Sequence, residues 1–436
     1  MSFIRHSSAL SLSQLAITVI TFVSGVIYTR GMGPEGIGQY ALLKSSLLLA
    51  VTFGALGTGP AIVYFTKDKR TTPGEIATNS VKYAVAIGFI VSVFFAIALA
   101  YLPNYFGSLS ARSVALISTA CFMQFTGSIM RHMLVAHFAT LQLVLMDGLQ
   151  ALAILIPAAI VISLGGQWGI HEAFLYFWIA SALRLAVAAA YSSKFLVWDQ
   201  RFSWKLLASM LKFGVTVSAS NILYLLTLEL SIFALRTLSR GAAFSDIAFY
   251  TRAGTICGLI AILPRTTAPL LFARWAHSET PIEPQLESAL RVTNTYGAAA
   301  LLGIILFGKQ ALQILYGSSY VDAYPGLVVL SLATVVTSNF VILNKAVAAK
   351  GFAHKTILSS VSGLVALGAS AAIWVPRFGV LGAAMANLTG MTVCTLVQAH
   401  ACSAISSIDF RKCLAMQVND VDALYYAFGK KRGATR

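Results

Sequence analysis

Uncharged apolar runs long enough to cross a lipid bilayer recur along this chain, residues 83–101 and 149–164 among them. A hydrocarbon core about 30 Å thick is crossed by about 20 helical residues, so each such run reads as a span or most of one. Inside lipid the backbone must satisfy its own hydrogen bonds, which leaves α-helices or a closed barrel. Barrel strands alternate apolar and polar residues, whereas these runs are apolar on every side. Composition agrees: 58% of the 436 residues are hydrophobic and 11% charged, against about 25% charged in a soluble domain. The fold class is an all-α integral membrane protein.

Twelve transmembrane helices are expected, near 9–29, 40–65, 81–101, 113–136, 143–165, 173–196, 206–235, 247–271, 290–308, 325–345, 355–375 and 378–401. The first run follows Arg5 but exceeds a signal-peptide core and has no clear small-residue cleavage site, so it reads as a retained span. With the N-terminus placed inside, 22 of the 31 Lys and Arg fall on the cytoplasmic side and seven opposite; Lys44 and Arg184 lie within spans. By the positive-inside rule both termini face the cytoplasm. The same rule accounts for the net charge of +16, so nucleic acid is not implied as a partner. The five cysteines, Cys121, Cys257, Cys394, Cys402 and Cys413, show no C-x-x-C spacing. Neither a metal site nor a disulfide framework is expected, and no cofactor is.

Laid on itself with a shift of about 210 residues, the chain repeats. Tyr40 falls on Tyr250, Pro60 within one residue of Pro269, and Gly169-Ile170 on Gly379-Val380. Six spans per half make the repeats parallel, two six-helix lobes (1–200 and 201–402) around a central cavity, followed by a basic tail over 403–436 expected to rest on anionic lipid. That is transporter architecture.

Charges inside the spans mark the candidate site, because an ionisable group at mid-bilayer costs about 2.5–3.5 kcal/mol on insertion scales. Arg184, eleven residues from either end of its expected span, is the deepest; it either faces a wet cavity or pairs between helices. Lys44 and Arg252 occupy equivalent places in the two halves, and Arg265 lies between Pro264 and Pro269. These four are the candidate substrate-binding residues. Glu229, with Arg236 seven residues on, and Asp147 are the candidate ion-coupling carboxylates. The balance leans basic, which favours an anionic cargo. Pro60, Pro157, Pro264 and Pro269 are expected to bend their spans, and Gly54, Gly57 and Gly59 either loosen the second span or let it pack closely. No P-loop G-x-x-x-x-G-K-[ST] occurs, so ATP hydrolysis is not expected.

Three further segments carry a resemblance: Gly33-Pro34-Glu35-Gly36-Ile37-Gly38-Gln39-Tyr40, Tyr316-Gly317-Ser318-Ser319-Tyr320-Val321-Asp322-Ala323-Tyr324, and Phe378-Gly379-Val380-Leu381-Gly382-Ala383-Ala384. Through them nearly the whole chain resembles the multidrug/oligosaccharidyl-lipid/polysaccharide exporter superfamily, in its polysaccharide transporter branch. The resemblance implies a MATE-like pair of lobes that alternates access. Its implied cargo is a polyprenyl-diphosphate-linked oligosaccharide, an O-antigen or exopolysaccharide repeat unit, flipped across the bacterial inner membrane without covalent chemistry. It also implies H⁺ or Na⁺ as coupling ion, with polysaccharide polymerase and chain-length machinery as partners. Such proteins often carry an aspartate where Glu229 stands. The rival readings are a cation-coupled multidrug exporter on the same fold and a membrane-embedded polymerase or ligase; the first predicts acidic residues deep in the lobes, the second a large external domain.

Overall fold

The structure, a computed structural model, describes residues 2–67, 71–164, 168–197, 201–239, 241, 243–276, 281–352, 354–413 and 417. Lys69, Arg70, Arg240 and the basic tail from 418 onward lie outside the described residues. Among the described residues the regular structure is helical: α1 (Ser2–Ala55), α2 (Thr58–Phe65), α3 (Pro73–Tyr101), α4 (Pro103–Phe106), α5 (Ala111–Ala136), α6 (Thr140–Ser163), α7 (Ile170–Ser192), α8 (Trp204–Leu238), α9 (Phe244–Ile260), α10 (Ile262–Ala276), α11 (Glu283–Tyr316), α12 (Tyr324–Ala349) and α13 (Lys355–Ser403), with short 3₁₀ turns between some of them.

Nine of these helices are long and apolar enough to cross a membrane, and the pair α9 and α10, bent by 50°, passes the same test together. Two of the nine are two helices run together. α1 is interrupted at Gly33 (φ 69°, ψ 177°) and α13 at Gly379 (φ 51°, ψ −122°), backbone conformations that a side chain opposes. Dividing both and counting the bent pair once brings nine to the twelve expected.

Local signals explain the helix starts. α3 opens with a capping box: the Glu75 amide donates to Thr72 Oγ1 and the Thr72 amide to Glu75 Oε2, each at 3.3 Å, with Pro73 next. The Ser113 amide donates to Ser110 Oγ at 3.2 Å before α5, and the Gly169 amide to Glu172 Oε2 at 2.8 Å before α7.

Pro60 and Pro264 act differently from expectation, while Pro157 and Pro269 lie inside α6 and α10. The second span breaks at Leu56–Gly57, both at positive φ (44° and 73°), ahead of Pro60. Pro60 is then the third residue of α2, where a missing amide proton costs little. In the other half the break at Ala261 leaves Pro264 third in α10. Pro264, rather than Pro269, therefore stands where Pro60 stands. Both readings of the glycines are found: Gly57 lies in the break itself, and all three pack closely. A Cβ at Gly57 or Gly214 would strike the other residue's carbonyl, one at Gly59 the His132 ring, and one at Gly54 the Phe125 ring.

The chain forms two compact units, Met1–Ile222 with Ala243–Ala248, and Leu223–Ala242 with Phe249–Arg436. The division falls inside α8. The core of the first includes Ile62, Ile76, Phe125, Ile129, Met133 and Met210; one core of the second includes Trp275, Leu286, Leu290, Leu343, Val347 and Cys413. Large apolar side chains such as Phe89, Phe94, Leu306, Phe307, Val365 and Leu396 stay exposed, as helices facing lipid require.

The segment after α13 does more than the sequence suggested. Ile405, Ile408, Phe410 and Cys413 pack onto the core at the ends of α10 to α13. Arg291 Nη1 donates to the Lys412 carbonyl at 3.2 Å, Asn294 Nδ2 to the Cys413 carbonyl at 2.9 Å, and the Asp409 amide to Glu287 Oε1 at 3.3 Å. Residues 405–413 are thus docked on protein, because apolar residues alternate with the charges that had suggested a lipid-bound tail.

The three resemblance segments have structural duties. Gly38 lies so close to the Phe244 carbonyl that a Cβ would collide with it, Gln39 Nε2 donates to the Phe106 carbonyl at 2.8 Å, and Tyr40 stacks on Phe174 at 5.8 Å. Gly317 turns at φ 101°, and Tyr320 is buried behind it. Gly382 lies against the Trp374 carbonyl with no room for a side chain, and Ala383 and Ala384 are fully buried.

Candidate functional site in the first unit

Where α5, α6 and α7 meet, the first unit holds an ionic cluster. Asp147 of α6 accepts from Arg131 of α5 through Oδ2, with Nε at 3.2 Å and Nη2 at 3.1 Å. Its other oxygen, Oδ1, lies 3.7 Å from Arg184 Nη2 of α7. Arg184 Nη1 also donates to Gln124 Oε1, Gln124 Nε2 to Ser181 Oγ at 2.9 Å, and Ser181 Oγ to the Phe177 carbonyl at 2.7 Å. Arg184 Nε is buried and has no hydrogen-bond partner among the described residues. His132 lies within electrostatic reach of both arginines.

Helix geometry brings these residues level. Gln124 and Arg131 are seven apart and share a face of α5; Ser181 and Arg184 are three apart on α7. Arg131, Asp147 and Arg184 lie five, seven and eight residues from the adjoining ends of their helices, or roughly 8–12 Å at helical rise. Arg184 is thus nearer one end than expected, because residues 193–195 leave the α-helix as a 3₁₀ turn. Two guanidinium groups against one carboxylate leave a net positive charge among apolar helices. Side-chain exposure falls from 32% at Arg131 to 19% at Asp147 and 14% at Arg184, so the cluster has an accessible edge on the Arg131 side.

The other sequence candidates are distributed as follows. Lys44 is exposed on α1 and Arg265 is exposed near the start of α10. Arg252, on α9, is 9% exposed and within electrostatic reach of the Tyr316 and Tyr320 hydroxyls. Glu229 is half-buried on α8, within reach of Tyr250. The structure therefore joins one candidate for substrate binding, Arg184, with one for ion coupling, Asp147. Sequence reasoning missed Arg131, Gln124 and Ser181 as companions. Arg131 is one of the 22 basic residues counted to the cytoplasmic side, while Gln124 and Ser181 carry no charge; the spacing of seven between Gln124 and Arg131 was the one available signal.

An all-α, multi-pass membrane protein with these broken helices and a buried basic cluster has the construction of a transporter. Over residues 3–267 the chain matches the family model described as polysaccharide biosynthesis protein. The chain belongs to that family. A probable low-salt glycan biosynthesis flippase of Haloferax volcanii is 24% identical to it over 176 residues, 38% of this chain. That match spans 36% of the relative's own length. Two solved structures share the fold. An inward-facing multidrug resistance MATE family transporter superposes with a TM-score of 0.71 at 18% identity, covering 91% of this chain and 98% of its own. The lipid II flippase MurJ, in an inward closed conformation, gives 0.75 at 13% identity, covering 97% and 93%.

Proposed function

We propose that this protein is a flippase for a polyprenyl-diphosphate-linked oligosaccharide, an O-antigen or exopolysaccharide repeat unit, in the bacterial inner membrane. On this reading its halves, 1–200 and 201–402, work as two lobes by alternating access, with both termini in the cytoplasm. The observation that carries the proposal is the Arg131–Asp147–Arg184 cluster, a net positive charge held within apolar helices. Membership of the polysaccharide biosynthesis family and the glycan flippase relative support the cargo class. A diphosphate headgroup entering hydrocarbon unaided loses its hydration at heavy cost. Guanidinium donors replace that hydration while the polyprenyl tail stays in lipid. No bond in the cargo is made or broken.

Arg184 is the principal headgroup ligand in this scheme, with Lys44, Arg252 and Arg265 as further basic positions along the route. Glu229 is the carboxylate for a coupling H⁺ or Na⁺. Asp147 fits that task less well, since both its oxygens face arginines. Deleting the gene tests the proposal: a lipid-linked oligosaccharide should accumulate on the cytoplasmic leaflet and surface glycan should vanish. Unchanged surface glycan with new sensitivity to cationic dyes would instead establish the multidrug exporter, and sugar transfer by the purified protein the polymerase or ligase.

A further inference from the structure

We infer that Arg131 and Arg184 form a single seat for a phosphate or diphosphate group, and that Asp147 is its resident occupant, the internal anion that the cargo displaces. The inference rests on the flippase reading and gives Asp147 a task other than carrying an ion.

The geometry supports exchange. Each oxygen of Asp147 faces a different guanidinium, the closer pair at 3.1 Å and the looser at 3.7 Å, so the carboxylate bridges the two arginines as a phosphate would. Arg184 is held independently of Asp147, through Gln124 and Ser181 to the Phe177 carbonyl. It keeps its place if the carboxylate swings away. Guanidinium forks bind carboxylate and phosphate with the same paired donors, and a diphosphate offers more acceptor oxygens and more charge than one carboxylate. The approach lies on the Arg131 side, where the cluster is most exposed.

An unoccupied seat would leave two like charges side by side, one of them mostly buried, which is unfavourable; Asp147 reduces that penalty when no cargo is bound. It also supplies the force for release, because a returning carboxylate competes for the same donors. A coupling cation, by contrast, would have to approach Asp147 past two positive charges at close range.

A strut and a competitor give opposite results on neutralisation. Loss of a supporting strut weakens anion binding; loss of a competing charge within 4 Å of both donors strengthens it, and at that range the Coulomb contribution is the larger. The test is isothermal titration of the purified full-length protein in detergent with farnesyl diphosphate, inorganic pyrophosphate and farnesol. Asp147→Asn should bind both diphosphates at least tenfold more tightly than the unaltered protein, Arg131→Gln and Arg184→Gln at least tenfold more weakly, and farnesol should not bind. The Asp147→Asn, Arg131→Gln double variant should return toward the starting affinity. Equal or weaker binding by Asp147→Asn overturns the competitor role, and unchanged binding by Arg131→Gln overturns the two-arginine seat.

If Asp147→Asn proves too unstable to purify, Asp147→Ser removes the same charge and should tighten diphosphate binding likewise; equal or weaker binding by it overturns the competitor role. Tighter binding of farnesyl diphosphate than of pyrophosphate assigns the seat to a lipid headgroup; equal affinities assign it to free phosphate compounds. Failure of the seat with glycan export still dependent on the gene leaves the flippase reading intact. A seat that behaves as described without any effect of the gene on glycan removes the flippase reading and keeps the anion site.

Discussion

The last three helices of each half are built alike and filled differently. α5 and α12 are both 26 residues long, and α6 and α7 have their counterparts in the two parts of α13 on either side of Gly379. Counted from the start of each helix, Arg131 corresponds to Asn344, Asp147 to Ser362 and Arg184 to Cys394. The first half thus has two cations and an anion where the second has none. The second half instead joins its helices by a neutral chain nearer the helix ends: Thr356 Oγ1 donates to Asn344 Oδ1 at 3.2 Å, Gln398 Nε2 to Thr356 Oγ1 at 3.3 Å, and Ser359 Oγ to Gln398 Oε1 at 2.6 Å. Neutral side chains hold three helices together without burying a charge. Charge is thus one of two ways these helices are joined, and the charged one is the costlier inside a bilayer.

The strongest way to break the comparison is to make the first half resemble the second. Arg131→Asn, Asp147→Ser and Arg184→Cys together remove the cluster while leaving none of its charges unpaired. The triple variant should reach the membrane at near-normal level and melt within about 5 °C of the unaltered protein. Cargo flipping, followed as surface glycan in a deletion strain and as translocation in proteoliposomes, should fall about a hundredfold, the equivalent of nearly 3 kcal/mol. Arg184→Ala alone should lower flipping more than protein level, and Arg184→Lys should recover part, since an ammonium keeps the charge but loses the planar fork. Normal glycan in the triple variant would reduce the charged seam to another way of fastening helices.

The converse change sharpens the same contrast. Gln398→Ala takes from Ser359 one of its two acceptors, leaving the Thr356 carbonyl at 2.9 Å, and from Thr356 a donor, among fully buried residues. Stranding buried polar groups costs about 1–3 kcal/mol, which should appear as a lowered melting temperature of the purified protein. Flipping per folded molecule should be unchanged. A flipping defect larger than the loss of folded protein would give the second seam a transport role as well.

How much of this was legible in the sequence depended on the kind of signal. Span positions were, because hydropathy and lipid thickness leave few choices, and Arg184 stood out because a charge in that setting needs a reason. Its company did not. Asp147 sits on a different helix, and Arg131 looked like an ordinary charge near a helix end. Gln124 and Ser181 are neutral, so only the packing of α5 against α7 reveals them. Pro60 and Pro264 misdirected attention, because a proline in the first turn of a helix fits without bending it; the breaks there belong to Leu56–Gly57 and to Ala261 just upstream. Tyr40 and Tyr250, aligned by the expected shift, are both buried, whereas Pro60 and Pro269 occupy different places in their helices, third in α2 and eighth in α10.

The breaks inside α1 and α13 offer the finest comparison of the halves. Gly33 has φ 69° and ψ 177°, and a Cβ there would meet nothing within 4 Å. An alanine would therefore suffer from backbone conformation alone, a cost of about 1–3 kcal/mol in a region nearly restricted to glycine. Gly379, at φ 51° and ψ −122°, holds a similarly disfavoured conformation in the other half. Gly33→Ala and Gly379→Ala should each lower the melting temperature by a few degrees, with flipping retained by the protein that folds. At Gly382, by contrast, the Trp374 carbonyl occupies the place of a Cβ, so Gly382→Ala must separate the two parts of α13 and should cost more than either. Equal melting temperatures for Gly33→Ala and the unaltered protein would mean that α1 runs on as one continuous helix through Gly33, and the correspondence between the two breaks would be lost.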